Sequence, residues 1–197
     1  MKLLGSNRSP YVRKVRMMVA EKGIACDFYD VSPSDPEVTA ANPLAKVPTL
    51  VRDDSSSLYD SSVIIEYLDG LIGTTKLIPE VFTDRIEVRR WDALGSGIMD
   101  ATVAITHEDR TPVAQRKGPD FYAKQQKKID AGLVTMEKDL GGREFCHGDS
   151  FTLADIACGC ALGYLDSILP NLEWRKTYPG LKRLAERLAM RVSFKNA

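Results

Sequence analysis

A serine directly before a proline, at Ser9-Pro10, can start a helix and can also offer a hydroxyl to a ligand. Proline at the first helical position brings a preset φ and wastes no N–H, and serine is a favoured N-cap, so helix initiation alone accounts for the pair. The chemical reading adds that free N–H groups and the positive end of the helix dipole favour an anion beside Ser9, a thiolate among them. Both readings can hold together, since one hydroxyl accepts from backbone and donates to a ligand. At Val47-Pro48 a proline opens a strand, where it has no N–H for the ladder. A cis bond there would turn Val47 so that its N–H and C=O point outward, and a peptide-like ligand could pair with them as one more strand. Asp60-Ser61-Ser62 precedes an apolar helical run. It reads as a helix cap, or as an amino-acid clamp in which Ser61 takes a carboxylate and Asp60 an ammonium.

The elements that would carry these residues follow from periodicity. Lys2 to Gly5 reads as a strand, Pro10 to Lys22 as a helix stopped by Gly23, and Asp27 to Val31 as a second strand broken by Ser32-Pro33-Ser34-Asp35-Pro36. An irregular or helical connection leads to strands at Val47 to Val51 and Leu58 to Tyr59, which flank the turn-rich 53–57 as a hairpin. A helix then runs through Ile64, Ile65, Leu68, Leu71 and Ile72. This order, βαβ followed by ββα, builds a small mixed sheet. Gly73-Thr74-Thr75 through Pro79 reads as a linker, and beyond it only helices are expected: Asp84 to His107, Asp120 to Leu140, Leu153 to Leu169 and Tyr178 to Arg191. The expected fold is α/β plus all-α, with one domain over 1–75 and a helical bundle over 84–197.

Composition narrows the function classes. Lys plus Arg and Asp plus Glu number 27 each, so no general polyanion binder is indicated and a nucleic-acid partner is not expected. No apolar run reaches the roughly 18 residues of a membrane span, and the first residues do not resemble a signal peptide, so no membrane association and a cytoplasmic location are expected. Cys26, Cys146, Cys158 and Cys160 are too irregularly spaced for a disulfide framework, and no Cys/His spacing suits zinc. Each cysteine, like Trp91 and Trp174, is expected to serve in packing.

Ser9-Pro10-Tyr11, then Asn42-Pro43-Leu44-Ala45-Lys46-Val47-Pro48-Thr49-Leu50, then Asp60-Ser61-Ser62-Val63-Ile64-Ile65-Glu66-Tyr67-Leu68 resemble, in that order, the glutathione site of glutathione S-transferases. Ser9-Pro10-Tyr11-Val12-Arg13-Lys14 is similar to the Ser-Pro-Phe-Val-Arg-Lys motif of bacterial members, an omega-like arrangement with serine in place of cysteine. Phe151-Thr152-Leu153-Ala154-Asp155-Ile156 resembles the capping box and hydrophobic staple of the family's helix 6. The resemblance implies a thioredoxin-like N-terminal domain and a helical C-terminal domain, the GST fold.

It also implies roles. Ser9 would hydrogen-bond the glutathione sulfur as the catalytic residue, Val47 with Pro48 would pair with the cysteinyl backbone, and Asp60 and Ser61 would hold the γ-glutamyl group. Lys46 could reach the glycyl carboxylate or be a solvated lysine; Tyr11 would lie near the thiol or pack through its ring. Met99, Val103, His107 and Arg110 share one face of the first long helix, the one that meets the second substrate in this family, although a solvated helix end also accounts for His107 and Arg110. Glutathione is then the co-substrate, a small electrophile the partner, a homodimer the assembly, and no metal is required. Serine cannot form the mixed disulfide of cysteine-bearing relatives, which disfavours thiol–disulfide exchange. Isomerisation or peroxide reduction on the same site, or a non-catalytic interaction protein of the stringent-starvation type, are the competing readings.

Overall fold

The computed structural model describes residues 1–71 and 76–197, so the expected helix end at Ile72 and the linker residues 73–75 lie outside the described residues. The chain divides into two compact units, Met1–Ile78 together with Met190–Ala197, and Pro79–Ala189.

The first unit is built on a four-stranded sheet. Its elements are β1 (Lys2–Gly5), α1 (Pro10–Lys22), β2 (Asp27–Asp30), α2 (Pro36–Ala41), β3 (Thr49–Val51), β4 (Ser57–Leu58) and α3 (Ser61–Leu71), with strand order β2-β1-β3-β4. β1 runs parallel to β2 and antiparallel to β3, and β3 is antiparallel to β4. The ladder at β3 starts at Thr49, two residues later than the expected Val47, because Pro48 has no N–H to contribute. β4 covers Ser57 and Leu58 where Leu58 and Tyr59 were expected, since the turn closes with Arg52 N–H donating to Ser56 C=O at 2.8 Å and sets Ser57 opposite Val51.

α1 begins with Ser9 as N-cap and ends with Gly23 at φ 61°, a left-handed cap whose position favours glycine. Its buried stripe of Val12, Val15 and Met18 joins Leu3, Leu4, Leu50, Ile64, Ile65 and Leu68 in the core. Gly5 permits this packing: a Cβ there would stand 2.6 Å from a Val12 methyl. Lys22, at the end of α1, is buried against Asp69 of α3, Nζ to Oδ1 3.0 Å.

The second unit is helical: α4 (Phe82–Arg110), a 3-10 turn (Val113–Gln115), α5 (Pro119–Leu140), α6 (Leu153–Ile168), α7 (Trp174–Thr177) and α8 (Pro179–Ala189). α6 is buried almost throughout its first ten residues. It meets α4 so closely that a Cβ on Gly95 would come 2.8 Å from the Ala157 carbonyl. The carboxylate of Glu137 on α5 caps α8, accepting from the N–H groups of Gly180 at 2.9 Å and Leu181 at 2.8 Å. Cys146, Cys158 and Cys160 are buried free thiols, and Trp91 and Trp174 lie in the core. The helix expected over Tyr178 to Arg191 stops at Ala189, and α9 (Val192–Asn196) follows as a separate turn. That turn packs with the first unit: Arg191 and Ser193 both donate to the Glu21 carboxylate, and Arg13 donates to the Phe194 carbonyl at 3.2 Å.

Candidate functional site

Strand register brings the three motifs to one end of the sheet. Leu4 of β1 pairs with Thr49 of β3, and Leu50 of β3 pairs with Leu58 of β4. The end of β1 that leads to Ser9, the start of β3 that follows Val47-Pro48, and the end of β4 that leads to Asp60 therefore share one edge of the first unit. α1 and α3 both start from this edge, so two helix N-termini add positive potential there.

Ser9 is half-buried and extended (φ −84°, ψ 121°). Its Oγ accepts from Val12 N–H at 3.3 Å, a long cap bond, and its own N–H donates to Ser6 C=O at 2.9 Å. The loop before it is braced by residues to which sequence reasoning gave no role. Asn7 donates to both oxygens of Asp30, through N–H at 3.0 Å and Nδ2 at 2.6 Å, while Arg16 donates to Asn7 Oδ1 at 2.6 Å. Tyr11 is half-buried.

The Val47–Pro48 bond is cis, as is the Tyr59–Asp60 bond. Lys46 is exposed, Val47 half-buried and Pro48 buried. Two side chains hold this loop from beneath, Asn42 and Thr49, of which Asn42 stood inside a recognised motif without a function. An Asn-Pro pair starting a turn was the available signal.

Asp60 is exposed and Ser61 is buried at 7% exposure. Asp60 Oδ1 accepts from Ser62 N–H at 2.9 Å and from the Ser62 hydroxyl, so it caps α3. The Ser62 hydroxyl holds its carboxyl below the usual carboxylate range; burial opposes this, while the Ser62 and Val63 N–H groups and the charge of Lys14 reinforce it. Asp60 thus stays anionic into mildly acidic solution, as a group that receives an ammonium must.

In the second unit Met99 is fully buried and Val103 half-buried, whereas His107 and Arg110 are exposed near the end of α4. Among the described residues, no group of three or more His, Cys, Asp or Glu side chains could hold a metal ion, and no helix is long and apolar enough to cross a membrane. A cavity of about 120 Å³ in the first unit has Arg16, Cys26, Phe28 and Asn196 among its walls and is lined by none of the motif residues.

Residues 3–75 match the family model for the glutathione S-transferase N-terminal domain, and residues 119–187 match the one for the C-terminal domain. The GST-like protein YibF of Escherichia coli is 36% identical over 98% of this chain and 96% of its own length. A glutathione S-transferase from Methylobacillus flagellatus, solved with glutathione bound, has a TM-score of 0.95 and 47% identity, covering 99% of this chain and 97% of that one. A second, from Methylobacterium radiotolerans in complex with glutathione sulfonate, has a TM-score of 0.94 and 38% identity over 99% of this chain and 92% of that one.

Proposed function

Because the chain belongs to the glutathione S-transferase superfamily and has its fold, we propose that it ionises the thiol of bound glutathione and transfers the glutathionyl group to a small electrophile. What supports this reading is the shared sheet edge at which the Ser9 hydroxyl, the Val47 backbone and the Asp60-Ser61 pair meet two helix N-termini. In the reaction the thiolate sulfur forms a bond to the electrophilic carbon, the leaving group departs with its electron pair, and the thiol proton passes to solvent. Relatives with 38% and 47% identity carry glutathione or its sulfonate, which supports glutathione as the co-substrate.

Ser9 is the activating group in this reading. A cysteine thiol titrates near 8.5, so ionising it at neutral pH means lowering its pKa by about 2 units, roughly 2.7 kcal/mol. A hydrogen bond to a charged acceptor supplies about 1.5–3 kcal/mol and a helix N-terminus about 0.3–1 more. The long bond from Val12 N–H occupies a lone pair of Ser9 and leaves its proton to donate to sulfur. Ser9→Ala should raise the pKa of the bound thiol by about 1–2 units while glutathione affinity stays within a few-fold. Thiolate absorbance titrated against pH in both proteins measures this, and an unchanged pKa would remove Ser9 from its role. Turnover of a generic aryl halide by the wild type tests the transfer itself.

Asp60 and Ser61 hold the γ-glutamyl ammonium and carboxylate, with Val47 and Pro48 on the cysteinyl backbone and Tyr11 and Lys46 at the periphery. Asp60→Ala and Ser61→Ala should each weaken glutathione binding by roughly 1–3 kcal/mol. Asp60→Asn separates clamp from cap, since the amide oxygen still accepts from Ser62 N–H but carries no charge. It should keep the melting temperature and lose the affinity. With Asp60 held below the ordinary carboxylate range, wild-type affinity should persist into mildly acidic buffer and fall only as Asp60 is protonated. Calorimetry across pH, alongside thermal melts, reads all of these.

The helical unit selects the electrophile, with Val103, His107 and Arg110 of α4 carrying accessible surface and Met99 packed behind them. The protein acts as a cytoplasmic homodimer in detoxification. Val81, Phe82 and Ile86 at the start of α4 support the dimer, since Phe82 is 74% exposed in an apolar patch of the kind that anchors an interface. Four free cysteines fit a reducing compartment.

A further inference from the structure

We propose that Asn42 is a positioning residue for ligand-backbone recognition, acting with Thr49 to aim the Val47 N–H. The inference rests on the glutathione reading above and concerns how this chain presents its peptide-pairing group. Asn42 is 1% exposed and Thr49 fully buried. The Asn42 amide donates to the Lys46 carbonyl at 3.0 Å and to Thr49 Oγ1 at 3.1 Å, and Oδ1 accepts from Leu44 N–H at 2.9 Å. Its backbone is engaged as well, N–H to Val38 C=O at 2.8 Å and C=O from Ala45 N–H at 2.9 Å. Thr49, having accepted from Asn42, donates its own hydroxyl proton to the same Lys46 carbonyl at 2.9 Å.

The Lys46 carbonyl thus receives two hydrogen bonds from two buried side chains. That carbonyl and the Val47 N–H belong to one planar trans peptide unit and point in opposite directions. Fixing the carbonyl therefore fixes the N–H, which is directed away from Asn42 and Thr49. Loop backbone needs such a device because no ladder orients it: β3 pairing begins only at Thr49. A leucine and a valine of similar size would fill the space at 42 and 49 without the cost of burying polar atoms. They would leave the Lys46 carbonyl without these donors and the peptide plane free to rotate. Aiming one N–H in advance lets a ligand carbonyl, here that of the cysteinyl residue, bind without the loop being ordered at that moment.

Glutathione titration of wild type, Asn42→Asp, Thr49→Val and Thr49→Ser decides the matter. Asn42→Asp keeps the shape and loses both amide donors; Thr49→Val keeps the shape and loses the hydroxyl; Thr49→Ser retains it. The dissociation constant should rise about ten-fold or more in Asn42→Asp and Thr49→Val and stay within about two-fold of wild type in Thr49→Ser. Bound-thiol pKa and kcat at saturating glutathione should be unchanged, because Ser9 is untouched and the binding lost is uniform, equal in the ground and transition states. Thermal melts and calorimetric stoichiometry refer each constant to folded protein, and Thr49→Val, the smaller change, serves should Asn42→Asp not fold. Wild-type affinity in the folded Thr49→Val variant, or equal losses in Thr49→Ser and Thr49→Val, overturns the positioning role alone. A wild type that does not bind glutathione overturns the proposed function and this inference with it.

Discussion

Asp155→Ala should lose about 3–5 kcal/mol of stability while turnover per folded molecule stays near the wild-type value. The carboxylate of Asp155 is fully buried at the start of α6 and serves several donors. Oδ1 accepts from Cys146 N–H at 2.9 Å; Oδ2 accepts from Thr152 N–H at 2.9 Å and from the Thr152 hydroxyl at 3.2 Å. The Thr152 hydroxyl in turn caps Ala154 N–H at 3.2 Å, completing the capping box. Alanine strands these donors in the core, and each unmade buried bond costs about 1–3 kcal/mol. Asparagine should restore only part of the loss, because its single oxygen replaces one side of the carboxylate and its NH2 faces a donor on the other. Burial pushes the Asp155 carboxyl up from its ordinary value, and the Cys146 and Thr152 N–H groups offset only part of that. A raised folded-state pKa contributes stability that is fully present below the unfolded value and lost as pH rises through the folded one. The gap between wild type and Asp155→Ala should accordingly be widest in acid. Urea denaturation on either side of the carboxylate range, followed by the fluorescence of Trp91 and Trp174, measures both effects. Full stability with lost catalysis would instead make Asp155 a catalytic residue.

Asp69→Ala should destabilise the first unit by a similar amount, about 3–5 kcal/mol. The Lys22 side chain has no exposed surface, and its ammonium meets Asp69 Oδ1 at 3.0 Å and the Asp69 carbonyl at 3.2 Å. The same Oδ1 accepts from Leu77 N–H at 3.0 Å, so one carboxylate ties together α1, α3 and the chain beyond the undescribed residues. Removing it withdraws the Asp69 charge from a buried ammonium, which costs far more than losing an exposed pair. Replacing both partners by apolar residues, Lys22→Met with Asp69→Leu, should recover much of the loss but not all, because Leu77 N–H still lacks its acceptor. Both tryptophans lie in the second unit, so far-UV circular dichroism is the suitable probe. Equal stability of Asp69→Ala and the wild type would show that the pair contributes nothing net.

Local chemistry was readable along the chain. Ser9-Pro10 and Thr152 to Asp155 act as helix starts because capping needs only residues within one turn of each other, and that proximity is covalently guaranteed. Gly23 stops α1 for the same reason, its left-handed φ being a property of the residue itself. The order of the three motifs resembled a known family, and the fold that resemblance implied is the one observed.

The tertiary structure decided what depends on partners distant in sequence. That Ser9, Val47 and Asp60 share one edge follows from the antiparallel register of β3 with β1 and β4, which no single segment encodes. Lys22 and Asp69, 47 residues apart, gave no sign of pairing, because a charged residue on a helix ordinarily faces water and only the packing of α1 against α3 buries these two. The helix expected over Tyr178 to Arg191 stops at Ala189, and Arg191 and Ser193, beyond the break, both reach Glu21. Burial pushes the Glu21 carboxyl up, and Arg191 with Ser193 outweigh it to hold the group below its ordinary value. Sequence therefore determined helix starts such as those of α1 and α6 and offered the candidate site residues, since both readings depend on neighbours in the chain. Tertiary structure alone determined which side chains lie opposite one another, because buried partners are chosen by packing and register, not by spacing.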